Sequence, residues 1–302
     1  MNKKIVLIIP LLILAGLIYT SRWAIKSNKL ISPALSNPRM GINLWLPQVK
    51  DGFSDTSAPN ITAASAYFVN LDTGEMLFQK DPHQKLKIAS LAKIMTAIVV
   101  LENHRWTDPI LISDNAARME PDHMELKTGE QLSVEELMHG IFLISANDAA
   151  EALAENTLNG RDNFILEMNK KAKQLDMKDT LFINPTGLEE DNRDQYSTAF
   201  DVAIMSRYLT REFPHIFDIS SVNHYLLPKS FTHQEYEFYS GINLLTSYPG
   251  VIGLKTGYTP LAGLTLVTVA RRVSQTILGV ILNSENRREE AKALLDYSFK
   301  KV

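Results

Sequence analysis

The strand-like runs of this chain sit at its two ends. Residues 64–70 and 75–80, joined by the turn Asp72-Thr73-Gly74, read as a hairpin. Residues 251–255, 263–271 and 275–282 read as three strands rich in β-branched side chains. What lies between is mostly helical in pattern. The two groups of strands can share one sheet only if the chain returns, with the helices as a block between them. The expected fold class is therefore α+β: an antiparallel sheet of N-terminal and C-terminal strands packed against an inserted helical block. A helix over 287–299 closes the chain.

Inside the block, one helix stands out. Residues 87–102 begin Lys87-Ile88-Ala89-Ser90-Leu91-Ala92-Lys93 and continue with apolar side chains at 94, 95 and 97–101. No wide polar stripe remains, so this helix should run through a core. Its first turn holds Ser90 and Lys93, three residues apart and hence on one face. Ser133-Val134-Glu135-Glu136 is a capping box and starts a helix that ends near Ser145. A second helix opens at Asn147-Asp148. Residues 163–175 and 198–213 read as amphipathic helices, the latter with a capping box at Thr198/Asp201. Asn184-Pro185-Thr186-Gly187 is a tight loop between them. Residues 108–129 read as polar and irregular, and 214–246 as aromatic-rich with short strands.

The chain of 302 residues divides into three parts. Residues 1–29 place Lys3 and Lys4 before an apolar run over 5–19, about 22 Å long as a helix against a bilayer core of about 30 Å. This is a signal segment or, with Arg22 snorkelling, an anchor. No Ala-x-Ala-like site follows at the usual distance, which favours an uncleaved anchor. Residues 30–60, with Pro33, Pro38, Pro47 and Pro59, read as a linker. Residues 61–302 form the folded domain. A net charge of −3 gives no reason to expect nucleic acid as a partner. The absence of cysteine excludes disulfides, zinc-thiolate sites and thiol nucleophiles. The 7 histidines include no pair at i, i+4, so no metal is expected, nor any cofactor.

Three short motifs carry the chemistry, and each is ambiguous alone. Ser-x-x-Lys occurs at Ser90/Lys93 and again at Ser298/Lys301. Lys-Thr-Gly occurs at 255–257 and at 127–129. Ser-x-Asn occurs at 145–147, 113–115, 221–223 and 284–286. Context selects among them. Ser298 lies on a polar helix end and Lys127 in a polar loop. Lys255 follows the apolar run over 251–254, and Ser145-Ala146-Asn147 sits between two apolar helices. The surviving set is Ser90/Lys93, Ser145/Asn147 and Lys255/Thr256/Gly257, a signature of penicillin-binding proteins and class A β-lactamases.

With its flanking residues the match becomes specific. Ile88-Ala89-Ser90-Leu91-Ala92-Lys93-Ile94-Met95-Thr96-Ala97, Ser145-Ala146-Asn147-Asp148-Ala149-Ala150, Asn184-Pro185-Thr186-Gly187-Leu188 and Gly253-Leu254-Lys255-Thr256-Gly257-Tyr258-Thr259 closely resemble the low-molecular-mass penicillin-binding proteins, the serine D-alanyl-D-alanine carboxypeptidases. The resemblance covers residues 61–299. It implies a β-lactamase/transpeptidase-like fold and a hydrolase that trims peptidoglycan. Ser90 would attack the carbonyl between the last two D-alanines of a stem peptide, giving an acyl-enzyme that water hydrolyses. Lys93 would be the base. To act near neutral pH it must lose roughly 4 kcal/mol of preference for its charged form. Burial and the nearby Lys255 cation both push that way. Ser145 would relay the proton to the leaving amine, and Asn147 would bind the peptide. Lys255 and Thr256 would hold its terminal carboxylate, and Gly257 would let it lie against the strand. The backbone N–H groups of Ser90 and Tyr258 would form the oxyanion hole.

The same resemblance implies covalent inhibition by β-lactams and a bacterial cell-membrane location, with the catalytic domain on the extracytoplasmic side. It implies a secreted or periplasmic protein if residues 1–29 are removed. Many relatives add a β-rich second domain and a C-terminal amphipathic anchor. Here the closing helix is followed directly by Val302, so the N-terminal segment is expected to be the membrane attachment. The rival functions are a D,D-endopeptidase acting on cross-links, a β-lactamase, and a non-catalytic sensor. The β-lactamase lacks a glutamate in the right place, since Glu155 falls ten residues after Ser145 in the same helix and reads as helix surface. Asp148 reads as an ordinary first-turn residue, and the 184–187 loop as a wall of the cleft.

Overall fold

The structure is a computed structural model that describes Pro47 and residues 55–302 except 192. The expected N-terminal segment and most of the expected linker lie outside the described residues. No helix among the described residues is long and apolar enough to cross a membrane.

Strands β1 (Ser65–Asn70) and β2 (Met76–Lys80) form the hairpin. Strands β7 (Val251–Thr259), β8 (Gly263–Arg272) and β9 (Gln275–Ser284) lie at the other end. All five join one antiparallel sheet in the order β2-β1-β9-β8-β7. The return of the chain is made by β1 against β9, with Ser65 opposite Leu282 and Asn70 opposite Ile277.

Both faces of the sheet are covered, and the period of two shows it. From β1, Tyr67 and Val69 join the core of the helical block, as do Leu278 and Val280 from β9. Ala66 and Phe68 point the other way, with Ile277 and Ile281, onto Leu294 and Leu295 of the closing helix α8 (Arg287–Phe299). This double burial is why β1 is buried at every position and why these strands read as unbroken apolar runs.

The block between β2 and β7 is built on α1 (Ala92–Asn103), which is buried continuously from Ala92 to Leu101. Around it pack α3 (Asn147–Glu155), α4 (Arg161–Gln174) and α5 (Ala199–Glu212). Helix α2 (Val134–His139) starts at Ser133 with the expected capping box, both reciprocal hydrogen bonds being present. Small elements fill the gaps: β3 (Pro109–Leu111) with β4 (Gln131–Ser133), β5 (His224–Leu227) with β6 (Tyr236–Tyr239), and the short helices α6 (Ile216–Ser220) and α7 (Leu244–Ser247).

Several boundaries differ from the sequence reading for identifiable reasons. Ser90 is not on the α-helix. It sits in a 3-10 turn, Ala89–Leu91, that precedes α1. The helix expected to reach Ser145 widens into a π-turn over Gly140–Ile144, a feature frequent at functional sites. Strand β7 runs on to Thr259, so Lys255 lies inside the strand, because β8 pairs with it as far as Gly263. At α5, Thr198 accepts from Asp201 N, but the Asp201 carboxylate turns to Asp179 N and Thr180 Oγ1, so the expected box is half formed. Asp55 accepts from Tyr297 Oη and Lys301 Nζ, which fastens the residues just before 61 onto α8.

Candidate active site

The site forms where α1, the 145–147 turn, the 184–187 loop and β7 meet. Ala89 has φ of 49° and Ser145 φ of 66°. Both lie in the left-handed region, which costs a non-glycine residue energy unless its surroundings hold it. These two strained residues flank or carry the first two motifs.

Gly187 and Gly257 explain how Ala89 is held. At φ 86°, Gly187 lies so close to Ala89 O that a Cβ there would collide with it. A Cβ on Gly257 would stand 2.9 Å from Ser90 N and 2.6 Å from Thr265 Oγ1. The space at Gly257 is thus taken by the Ser90 turn, which both the loop and β7 approach closely.

Lys93 is 0% exposed, and its Nζ has three partners: Ser90 Oγ at 3.1 Å, Asn147 Oδ1 at 2.6 Å and the Thr186 carbonyl at 2.8 Å. The Asn147 amide is oriented by its own Nδ2, which donates to Pro121 O. Asn147 N donates to Asp122 O at 2.7 Å. Burial drives the pKa of Lys93 well below the usual lysine range, and the Lys255 cation adds to the effect. Lys255 is 1% exposed and is pushed down to about 7, first by burial and then by Arg287. The Asp122 carboxylate opposes both shifts. The Ser145 hydroxyl oxygen is buried and has no hydrogen-bond partner. Thr256 lines a small recess with Gly241, Asn243, Arg287 and Arg288. Tyr258 is 62% exposed on the outer end of the strand.

The structure therefore joins Ser90, Lys93 and Asn147 by hydrogen bonds, sets Gly257 against the Ser90 backbone, and places the Lys255 charge close enough to act on Lys93. It does not pair Ser145 Oγ with any of them. Sequence reading missed Arg287, whose Nη1 donates to the Gly257 and Thr265 carbonyls at 2.5 and 3.1 Å. A signal was present: Arg287 and Arg288 occupy the first turn of a helix, where the dipole favours acids. Sequence reading also undervalued the 184–187 loop, since Thr186 O touches the lysine itself and Pro185 O accepts from Thr96 Oγ1 at 2.6 Å. Asp148 is indeed a first-turn residue of its helix. Its carboxylate accepts from Met124 N, Leu126 N and Ala149 N. Glu155 is occupied by Ser113 Oγ and Asn115 Nδ2. No cluster of metal-ligating side chains occurs among the described residues.

The profile of D-alanyl-D-alanine carboxypeptidases matches residues 53–286, most of the chain. The chain belongs to that family. It is 34% identical over 245 residues to the D-alanyl-D-alanine carboxypeptidase DacF of Bacillus subtilis, covering 78% of this chain and 62% of the relative. It is 34% identical over 255 residues to DacA of Haemophilus influenzae, covering 80% and 63%. The chain thus spans a little over six-tenths of the length of these two relatives. Among solved structures it is similar to the Streptomyces K15 DD-transpeptidase, with a TM-score of 0.76 and 28% identity over 81% of this chain and 99% of that one. The expected transpeptidase-like fold is the fold observed.

Proposed function

We propose that this member of the carboxypeptidase family removes the terminal D-alanine from peptidoglycan stem peptides through a Ser90 acyl-enzyme and is acylated there by penicillins. The observation that carries the reading is the surroundings of the Lys93 amine. Asn147 Oδ1 and Thr186 O can only accept hydrogen bonds. A neutral lysine must spend both N–H groups on them. Its lone pair then faces Ser90 Oγ, the one neighbour with a proton to give. The low pKa of Lys93 keeps this neutral form populated.

In the reaction, Ser90 Oγ bonds to the carbonyl carbon and its proton passes to Lys93. The tetrahedral oxyanion is met by the backbone N–H groups of Ser90 and Tyr258. Ser145 relays that proton, taking it from Lys93 as it gives its own to the leaving D-alanine nitrogen and the peptide bond breaks, a role suited to a buried hydroxyl without a partner. Water then hydrolyses the ester and returns Ser90. Asn147 orients the peptide. Lys255, Thr256 and the recess at Arg287 receive its carboxylate, with two cations on one anion. Gly257 keeps the strand close to the nucleophile. Residues 1–29 anchor the protein in the cell membrane, 30–60 link them to the peptidase domain over 61–302, and the domain faces the extracytoplasmic side.

The test is incubation with benzylpenicillin and intact-mass spectrometry, alongside D-alanine release from a pentapeptide. One acyl group on Ser90 and release of D-alanine are expected, with both lost in Ser90→Ala. D-alanine release that survives Ser90→Ala overturns the reading.

A further inference from the structure

The two acceptors that fix Lys93 come from separate segments, Asn147 from the start of α3 and Thr186 O from the 184–187 loop. A line of side chains behind the site connects them. Glu151, one turn along α3 from Asn147 and 1% exposed, accepts from Arg161 Nε at 2.6 Å. Arg161 begins α4 and also donates from Nη2 to Glu190 Oε1 at 3.4 Å. The same Glu190 oxygen accepts from Asn184 Nδ2 at 3.0 Å. Asn184 Oδ1 in turn accepts from Thr186 N at 3.2 Å and Gly187 N at 2.8 Å, which folds the loop that aims Thr186 O at the lysine. The path closes into a ring: Lys93, Asn147, Glu151, Arg161, Glu190, Asn184, Thr186 and Lys93 again.

This ring is expensive to build. Glu151 is a buried carboxylate whose Oε2 has no partner, so the arginine compensates its charge from one side. Replacing such a pair by apolar side chains is often neutral or stabilising. Stability alone is therefore a poor reason for it, whereas fixing the spacing of two segments is a sufficient one.

We infer that Arg161 is a positioning residue: by tying Glu151 on α3 to Glu190 beside the loop, it sets the separation of the two acceptors of Lys93 and so turns the amine's lone pair toward Ser90. The inference rests on the reading of Lys93 as the base. When the tie is cut, Thr186 O drifts from the amine and water enters. Burial is the largest cause of the low pKa of Lys93, so hydration raises it. Acylation needs the neutral amine, and its acid limb moves to higher pH.

The experiment measures the rate of acylation of the full chain by benzylpenicillin across pH, followed by intact mass, for the wild type, Arg161→Ala and Glu190→Ala. The acid limb of both variants is expected about one pH unit higher, so that they react about tenfold slower on the acid side and the gap narrows as pH rises. Glu190 is half-exposed and its removal leaves the Glu151–Arg161 pair intact, so Glu190→Ala decides the matter if Arg161→Ala does not fold. An acid limb that stays at the wild-type position in the folded variants overturns the inference, even if the rates drop uniformly. A wild type that is not acylated at Ser90 overturns the base reading first, and this inference with it.

Discussion

Lys93 Nζ lies 2.6 Å from Asn147 Oδ1, across 54 residues of chain. The amide cannot turn, because its Nδ2 is engaged with Pro121 O. An amine next to an oxygen that gives nothing back has its hydrogens assigned for it. The substitutions below follow from that constraint and from the burial around it.

Replacing Lys93 by Met removes the proposed base while keeping the length of the side chain. Acylation by benzylpenicillin should slow by roughly 10²- to 10⁴-fold, the usual contribution of a positioned base. Stopped-time mass spectrometry reads the rate directly. A variant that reacts within a few-fold of wild type would show that the proton goes elsewhere.

The pH dependence of kcat/KM should be a bell. Attack needs neutral Lys93, gained as pH rises through its depressed pKa. In the proposed mechanism carboxylate binding needs charged Lys255, whose charge is lost in the free protein as pH rises through about 7. The alkaline limb should therefore begin near neutrality for a peptide ending in D-Ala-D-Ala. It should disappear for the C-terminally amidated peptide, whose slow turnover no longer depends on Lys255. An unchanged limb with the amide refutes the assignment.

Lys255→Met should raise stability. The folded protein keeps the Lys255 proton only up to about pH 7, against 10.5 for a free lysine. Between those values the unfolded chain binds a proton that the folded one lacks, so the wild type gains stability as pH rises across this window. The substitution removes the penalty. Its advantage in urea denaturation should be on the order of a few kcal/mol near pH 7 and shrink toward pH 10. A destabilised variant would count against a buried, strained cation at this position.

At Gly257, alanine would place a methyl 2.9 Å from Ser90 N. The strand or the nucleophile turn must move. A shift approaching 1 Å costs on the order of 10²-fold in rate. The loss should appear in the acylation rate while the melting temperature changes modestly. Normal acylation by Gly257→Ala would mean that β7 does not constrain Ser90.

Asp148→Ala leaves the backbone N–H groups of Met124, Leu126 and Ala149 without their shared carboxylate. These donors are buried with it, and about 2–4 kcal/mol of unfolding free energy should go, measured in urea. The loop that carries Pro121 and Asp122 should loosen too, which proteolysis would register as faster cleavage near residue 122.

How much of this was legible depends on the range of the interaction that decides it. The buried post of α1 follows from seven apolar residues between 94 and 101. The capping box at Ser133 follows from residues three apart. The α+β class follows from strands that have no other partners. The chain by itself also sorted the repeated motifs, because Ser298 and Lys127 stand in polar surroundings and Ser90 and Lys255 do not.

What it could not give is anything set by contact between distant segments. That Ser90 rides a strained 3-10 turn depends on Gly187 and Gly257, both of which approach it too closely for a Cβ. That the Arg287 charge acts on Lys255 depends on α8 returning across the sheet to the Gly257 carbonyl. The Thr186 oxygen that accepts a hydrogen bond from Lys93 belongs to the backbone, so no side chain marks it in the sequence. Local patterns record periodicity and capping, which act over a few residues. The proton inventory of Lys93 is settled by three oxygens from three parts of the chain, and only the folded structure brings them to one nitrogen.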